Sequence, residues 1–320
     1  MPPLPASVPA GSTALASLAI YLVLIAAAAF AGGSSMAFLR LGHRPMQVLL
    51  SLTSGILLGV GLLHLLPHAS FALGAGSPGG QNIEAAAGWA LLGFFAMFLL
   101  ERAFHGHAHH TADEGHHHGH EHGHDHGPCE SAPAATGRWA WCGAFAGLAL
   151  HSLADGAALA ASVKADAAHG GGIVSGFATF LAILLHKPFD SAIIATLLIS
   201  SGASAGFRRT INTAYALIVP LGAVAFVAGL RLLGAHQGDV LGVAMAMAAG
   251  AFICIAAADL LPEVQFHSHD RVLLTTALAL GLCIAWGITL IERATHAHEA
   301  HTGNAAANHS LERDAHPHPH

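Results

Sequence analysis

The sequence predicts an all-α, polytopic membrane protein: eight transmembrane helices, with spans 1–3 and 6–8 as an inverted repeat around central spans 4 and 5. Three observations predict it. The 320 residues are 54% hydrophobic and only 9% charged, whereas an ordinary globular domain carries about 25% charged residues. The apolar residues fall into eight runs, at about 13–39, 46–67, 85–104, 139–163, 171–200, 210–233, 239–262 and 272–292. Runs of about 20 residues match the roughly 30 Å hydrocarbon core of a bilayer. Finally, GILLGVGLLHLLPH, from Gly55 to His68, aligns with GAFICIAAADLLPE, from Gly250 to Glu263, at a constant offset of 195 residues. These segments lie on spans 2 and 7, five apart, and so cross the membrane in opposite directions, as inverted repeats do.

In chain order, the predicted organisation is spans 1–3 within 1–104, a His-rich loop at 105–137, spans 4–8 within 138–294, and a His-rich polar tail at 295–320. The N-terminal MPPLPASVPAGS has no basic n-region, so the first apolar run reads as a retained span and not as a cleaved signal. The breaks GHRP, GSPGGQN, GFRRT and FHSHDR carry the Gly, Pro, Arg and His clusters expected between helices. Basic residues set the orientation. With the N-terminus outside, Arg40, Arg44, Arg102, Arg138, Arg208, Arg209 and Arg271 fall inside, and Lys164, Arg231, Arg293 and Arg313 outside. This bias places both termini outside and the His-rich loop in the cytosol of a plasma or bacterial inner membrane. The net charge of −6 argues against nucleic acid as a partner. Metal ions and the lipid bilayer are the expected partners. Gly- and Ala-rich spans permit close helix contacts, which leaves a homodimer open. Three of the four cysteines lie in apolar runs without CxxC spacing and read as small buried hydrophobes.

Polar side chains inside a hydrocarbon span require a partner or a purpose. Span 4 contains His151 and Asp155, and span 5 contains His186 and Asp190. Both pairs are His-x-x-x-Asp, and residues four apart share a helix face, about 6 Å from each other. Two such faces offer two imidazole nitrogens and two carboxylate oxygens, a set suited to Zn²⁺ and tolerable for Cd²⁺, Fe²⁺ or Mn²⁺. The competing reading of a single pair is an i, i+4 contact tying helices together. Two pairs of identical spacing on consecutive spans make that the weaker account. Pro188 lies between His186 and Asp190 and predicts a kink, which at membrane depth is tolerated where backbone is buried or lines a cavity.

With its eight spans, the long His-rich loop after the third, HSLADG at 151–156, HK at 186–187 and the HLLP and DLLPE segments, the chain resembles the ZIP (Zrt/Irt-like protein) family of divalent metal transporters over nearly its whole length. The resemblance implies a transport site on spans 4 and 5, its ligands falling on His151, Asp155, His186 and Asp190. The transported substrate is then a divalent metal, zinc first, with no organic cofactor and no enzyme activity. Lys187 departs from the carboxylate that many members carry there to hold a second metal. Ser152 stands where others have Asn, and span 6 has no Asp or Glu. A charged ammonium has only donors, so Lys187 is expected to replace the second cation and pair with Asp155 or Asp190, giving a single-metal site.

A path is expected as well, with His64 and His68 at an outer entrance and Asp259, Glu263, His267 and His269 at an inner exit. The loop histidines His105, His107, His109, His110, His116, His117, His118, His120, His122, His124 and His126 lie in a Gly/His-rich segment that cannot build a core. They would bind metal weakly and with little selectivity. Two alternatives stand beside this reading. A cation-diffusion-type exporter would need a folded C-terminal domain larger than the polar tail. A membrane-embedded zinc hydrolase has as its only HExxH match His120 to His124, inside the low-complexity loop.

Overall fold

The computed structural model describes residues 10–35, 43–74, 79–105, 140–168, 174–266 and 271–292. Eight helices among them are long and apolar enough to cross a membrane: α1 (Thr13–Ser34), α2 (Arg44–Leu73), α3 (Ile83–Arg102), α4 (Trp141–Ala168), α5 (Phe177–Ser200), α6 (Ala205–Leu232), α7 (Gln237–Ala258) and α8 (Arg271–Glu292). The protein is an all-α integral membrane protein, as its composition predicts. Half or more of the apolar window is buried in α2, α4, α5 and α7, and a third or less in α1, α3, α6 and α8. α4 and α5, together with α2 and α7, are therefore the more buried helices. Large apolar side chains such as Leu91, Leu221, Val272 and Ile291 stay exposed on the outer four, the surface a lipid-facing helix requires.

Helix association in lipid depends on close backbone approach at small residues, and here those approaches repeat. A Cβ on Gly55 of α2 would strike the Leu278 carbonyl of α8, and one on Gly281 of α8 would strike the Leu52 carbonyl. The 195-residue shift turns Gly55 into Gly250 and Leu52 into Met247. Gly250 of α7 meets the Ala90 carbonyl of α3, while Gly93 of α3 meets the Met247 carbonyl. The other crossings match too. Gly32 of α1 abuts the Pro188 backbone of α5, and Gly222 of α6 abuts the Leu153 carbonyl of α4. Leu153 and Pro188 are related by the shift of 35 that maps His151 and Asp155 onto His186 and Asp190. The inverted repeat is thus built into the packing: α1–α5 mirrors α6–α4, and α2–α8 mirrors α7–α3.

Several helix limits differ from those expected from hydropathy, and three are informative. α2 continues beyond Pro67 to Leu73, because a π turn at Gly61–Leu65 precedes the proline and places it at the start of the next α-helical segment. There its missing N–H breaks no ladder. α4 runs to Ala168, five residues beyond the end set by Lys164, and so carries Asp166 inside the bundle, where it is buried. α6 begins at Ala205, taking Arg208 and Arg209 into its first turns, with Ser204 as N-cap accepting from the Phe207 N–H.

Candidate metal centre

α4 and α5 are placed by opposite faces of the repeat, α6 holding one through Gly222 and α1 the other through Gly32. Their polar residues then meet at the buried centre. His151, Asp155 and His186 are all at most 4% exposed. One ligand atom from each of His151, Asp155, His186 and Asp190 lies within 4.8 Å of all the others. His151 Nε2 and His186 Nε2 both stand 3.3 Å from Asp155 Oδ2. His151 Nε2 is 3.7 Å from Asp190 Oδ2, and the two imidazole centroids are 5.5 Å apart. Ligand atoms around a tetrahedral zinc with bonds of about 2.0–2.1 Å lie roughly 3.3 Å from one another, which is the separation of Asp155 Oδ2 from both imidazoles, while the wider pairs, up to 4.8 Å, would have to close on an ion.

Hydrogen bonds orient the donors. His186 Nδ1 is 2.8 Å from the Ala182 carbonyl, which can only accept. Nδ1 therefore carries the proton, and the Nε2 lone pair faces the centre. Lys187, fully buried, donates to Asp155 Oδ2 at 2.6 Å and to Asp190 Oδ2 at 3.0 Å. The ammonium expected to pair with one carboxylate bridges both. Ser152 lies behind the ligands, its Oγ donating to the Leu148 carbonyl at 2.6 Å and 2.9 Å from the Tyr215 oxygen. The Tyr215 hydroxyl in turn reaches Asp190 Oδ2 at 3.3 Å. Span 6 contributes no carboxylate, but it contributes this tyrosine, which residue type alone does not separate from a core aromatic. A largely apolar cavity of about 470 Å³, lined by Met97, Phe226, Met247 and Phe252 among others, opens onto His151 and Asp155.

A second cluster gathers His64 and His68 of α2 with Asp166 of α4. The two imidazoles were expected together. Asp166, and Glu292 of α8 beside them, were not, because both stand where hydropathy places a helix end. His105 closes the third helix, Ile83–His105, with its side chain outside the described residues. Asp259 and Glu263 lie on the helix Gln237–Phe266, their side chains likewise outside the described set. His267, His269 and the loop histidines from His107 to His126 fall wholly outside it. Among the described residues Cys142, Cys254 and Cys283 are free thiols.

The sequence model described as ZIP Zinc transporter matches residues 13–136 and 106–292. The chain belongs to the ZIP zinc transporter family. Among its relatives, zinc transporter ZIP9-B of Xenopus laevis is 29% identical over 197 residues, covering 60% of this chain and 57% of the relative. Zinc transporter ZIP9 of Micropogonias undulatus is 28% identical over 200 residues, covering 60% and 56%. The chain thus spans somewhat over half the length of the curated relatives it matches. Family membership favours the ZIP transporter reading over the membrane-hydrolase and cation-diffusion alternatives.

Proposed function

We propose that this ZIP protein carries a divalent metal ion, zinc first and Cd²⁺, Fe²⁺ or Mn²⁺ as further candidates, across the bilayer into the cytosol. The ion would be held singly by His151, Asp155, His186 and Asp190. One observation carries the reading: two His-x-x-x-Asp faces from consecutive helices converge at the buried centre within 4.8 Å. Thiolate-free ligands suit a site that must also release its ion. Charge favours a single ion. Two carboxylates and one ammonium leave the centre at −1 with neutral imidazoles, so one Zn²⁺ takes it to +1 and a second would take it to +3. Such a charge at membrane depth is strongly disfavoured. Lys187 occupies the place of the second cation, with Ser152 and Tyr215 steadying Asp190.

The rest of the path follows the basic-residue bias. Ions would enter past His64 and His68 and leave towards Asp259, Glu263, His267 and His269. The 105–137 loop would face the cytosol as a weak metal-binding segment, and both termini would lie outside, in a plasma or bacterial inner membrane. Metal uptake into sealed vesicles holding the purified full-length protein tests this. Wild type should accumulate zinc, and His186→Ala and Asp155→Ala should fall to the level of empty vesicles. Uptake that survives both substitutions would overturn the proposal.

A further inference from the structure

The cluster at the other end of α4 has its own ligand geometry. His64 lies in the π turn of α2 and is 1% exposed, and Asp166 is 2% exposed. His68 Nδ1 is 3.0 Å from Asp166 Oδ1, His64 Nε2 is 3.8 Å from Asp166 Oδ2, and His64 Nδ1 is 2.9 Å from Glu292 Oε2. The imidazole centroids of His64 and His68 are 4.6 Å apart. Despite these short separations, His64 Nδ1 and Asp166 Oδ1 have no hydrogen bond. One ligand atom each from His64, His68 and Asp166 lies within 4.8 Å of the other two. The other edges of the cluster are tied down. The Gly176 N–H donates to Asp166 Oδ2 at 2.7 Å, and Ser162 Oγ lies 3.1 Å from His64 Nε2.

We propose that His64, His68 and Asp166 form a second divalent-metal site, separate from the central one and taking the same class of ion, with Glu292 beside the far nitrogen of His64 orienting its ring. Two imidazoles and one carboxylate are donors that suit Zn²⁺ or Cd²⁺, with the remaining position open to water. α2, α4 and α8 each end at this cluster, and α5 begins beside it. It therefore lies on the membrane side opposite the connection between α3 and α4. Eleven residues of α4 separate Asp166 from Asp155, about 16 Å along the helix. The interval contains Ser162, whose oxygen accepts from Thr179 at 2.9 Å, and the fully buried Leu159. The ligand set stands on its own geometry. Its place as a waiting position before the centre rests on the transport reading, with the Ser162–Thr179 pair and Leu159 forming the closed segment between the two sites.

Crystals of the full-length protein grown with zinc, with diffraction recorded on both sides of the zinc absorption edge, test the proposal. The expected result is an anomalous peak bounded by His64, His68 and Asp166, in addition to the central one. In His68→Ala, at a partly exposed position, the outer peak should fall at least tenfold in occupancy while the central peak persists. Asp166→Asn should do the same, provided the protein retains the central peak as a mark of intact folding. A filled centre beside an empty outer position in wild type would overturn this inference and leave the transport reading intact. So would an outer peak that His68→Ala leaves unchanged. A filled outer position beside an empty centre would support the second site and count against the central one.

Discussion

The two polar clusters on α4 use similar ligands and differ in how their carboxylates are compensated. At the centre, Lys187 bridges Asp155 and Asp190 with a permanent charge. At the other end of α4, Asp166 and Glu292 are met by imidazoles, with a backbone N–H on Asp166. An ammonium cannot leave its helix, so it restricts how much further charge the centre can accept. Imidazoles can release a proton and turn a lone pair towards an ion. If both clusters hold metal, similar side chains would give one site of limited charge capacity and one more adaptable, according to which cation the helix itself supplies.

The largest expected effect is at Asp155, whose Oδ2 touches both central imidazoles and the ammonium. Asp155→Asn keeps its shape but removes the charge, and zinc uptake into vesicles should fall by at least two orders of magnitude. The Coulomb attraction it deletes is worth about 4 kcal/mol at 4 Å near a protein surface. Lys187→Met comes next. Leaving two buried carboxylates without their cation costs about 3–5 kcal/mol, so thermal unfolding in detergent should drop markedly without metal and recover when zinc is added. A Lys187→Met protein with wild-type melting and transport would remove the lysine from the account. Tyr215→Phe should be mildest. It deletes the hydroxyl that reaches Asp190 and lies beside Ser152, a loss of about 1 kcal/mol, read as a fewfold weaker zinc affinity at the centre with folding retained.

The packing offers a comparison of its own. Gly55→Val and Gly250→Val occupy matching positions of the repeat and each would drive a side chain into a carbonyl of the neighbouring helix. Both should lower the melting temperature by similar amounts. Gly88→Val, at a helix position where a Cβ meets nothing within 4 Å, should change it little.

The convergence of His151, Asp155, His186 and Asp190 was legible because i, i+4 spacing is a covalent property that any α-helix converts into a shared face, and eight apolar runs leave few other arrangements. Lys187 was legible for the same reason, as its position beside His186 needs no tertiary information. Asp166 and Glu292 were not. Hydropathy ends a span at the first charges it meets, so Lys164 appeared to close α4 before Asp166, and Glu292 looked like an ordinary terminus. The continuation of α2 beyond Pro67 was hidden similarly, because a proline marks a helix end unless the preceding turn widens to accommodate it. Tyr215 shows a different limit. Its hydroxyl matters only because α6 crosses α4 at Gly156 and Gly222, and the repeat visible around Gly55 and Gly250 did not extend to that crossing.

The claim on which the account turns is that the centre holds one ion and that Lys187 stands in for a second. The zinc-edge anomalous map of the wild-type protein, read at the centre alone, tests it most directly. The account predicts a single peak bounded by His151, Asp155, His186 and Asp190, with the Lys187 ammonium still against a carboxylate. Two adjacent peaks with the lysine displaced, or none at zinc concentrations that support uptake, would contradict it.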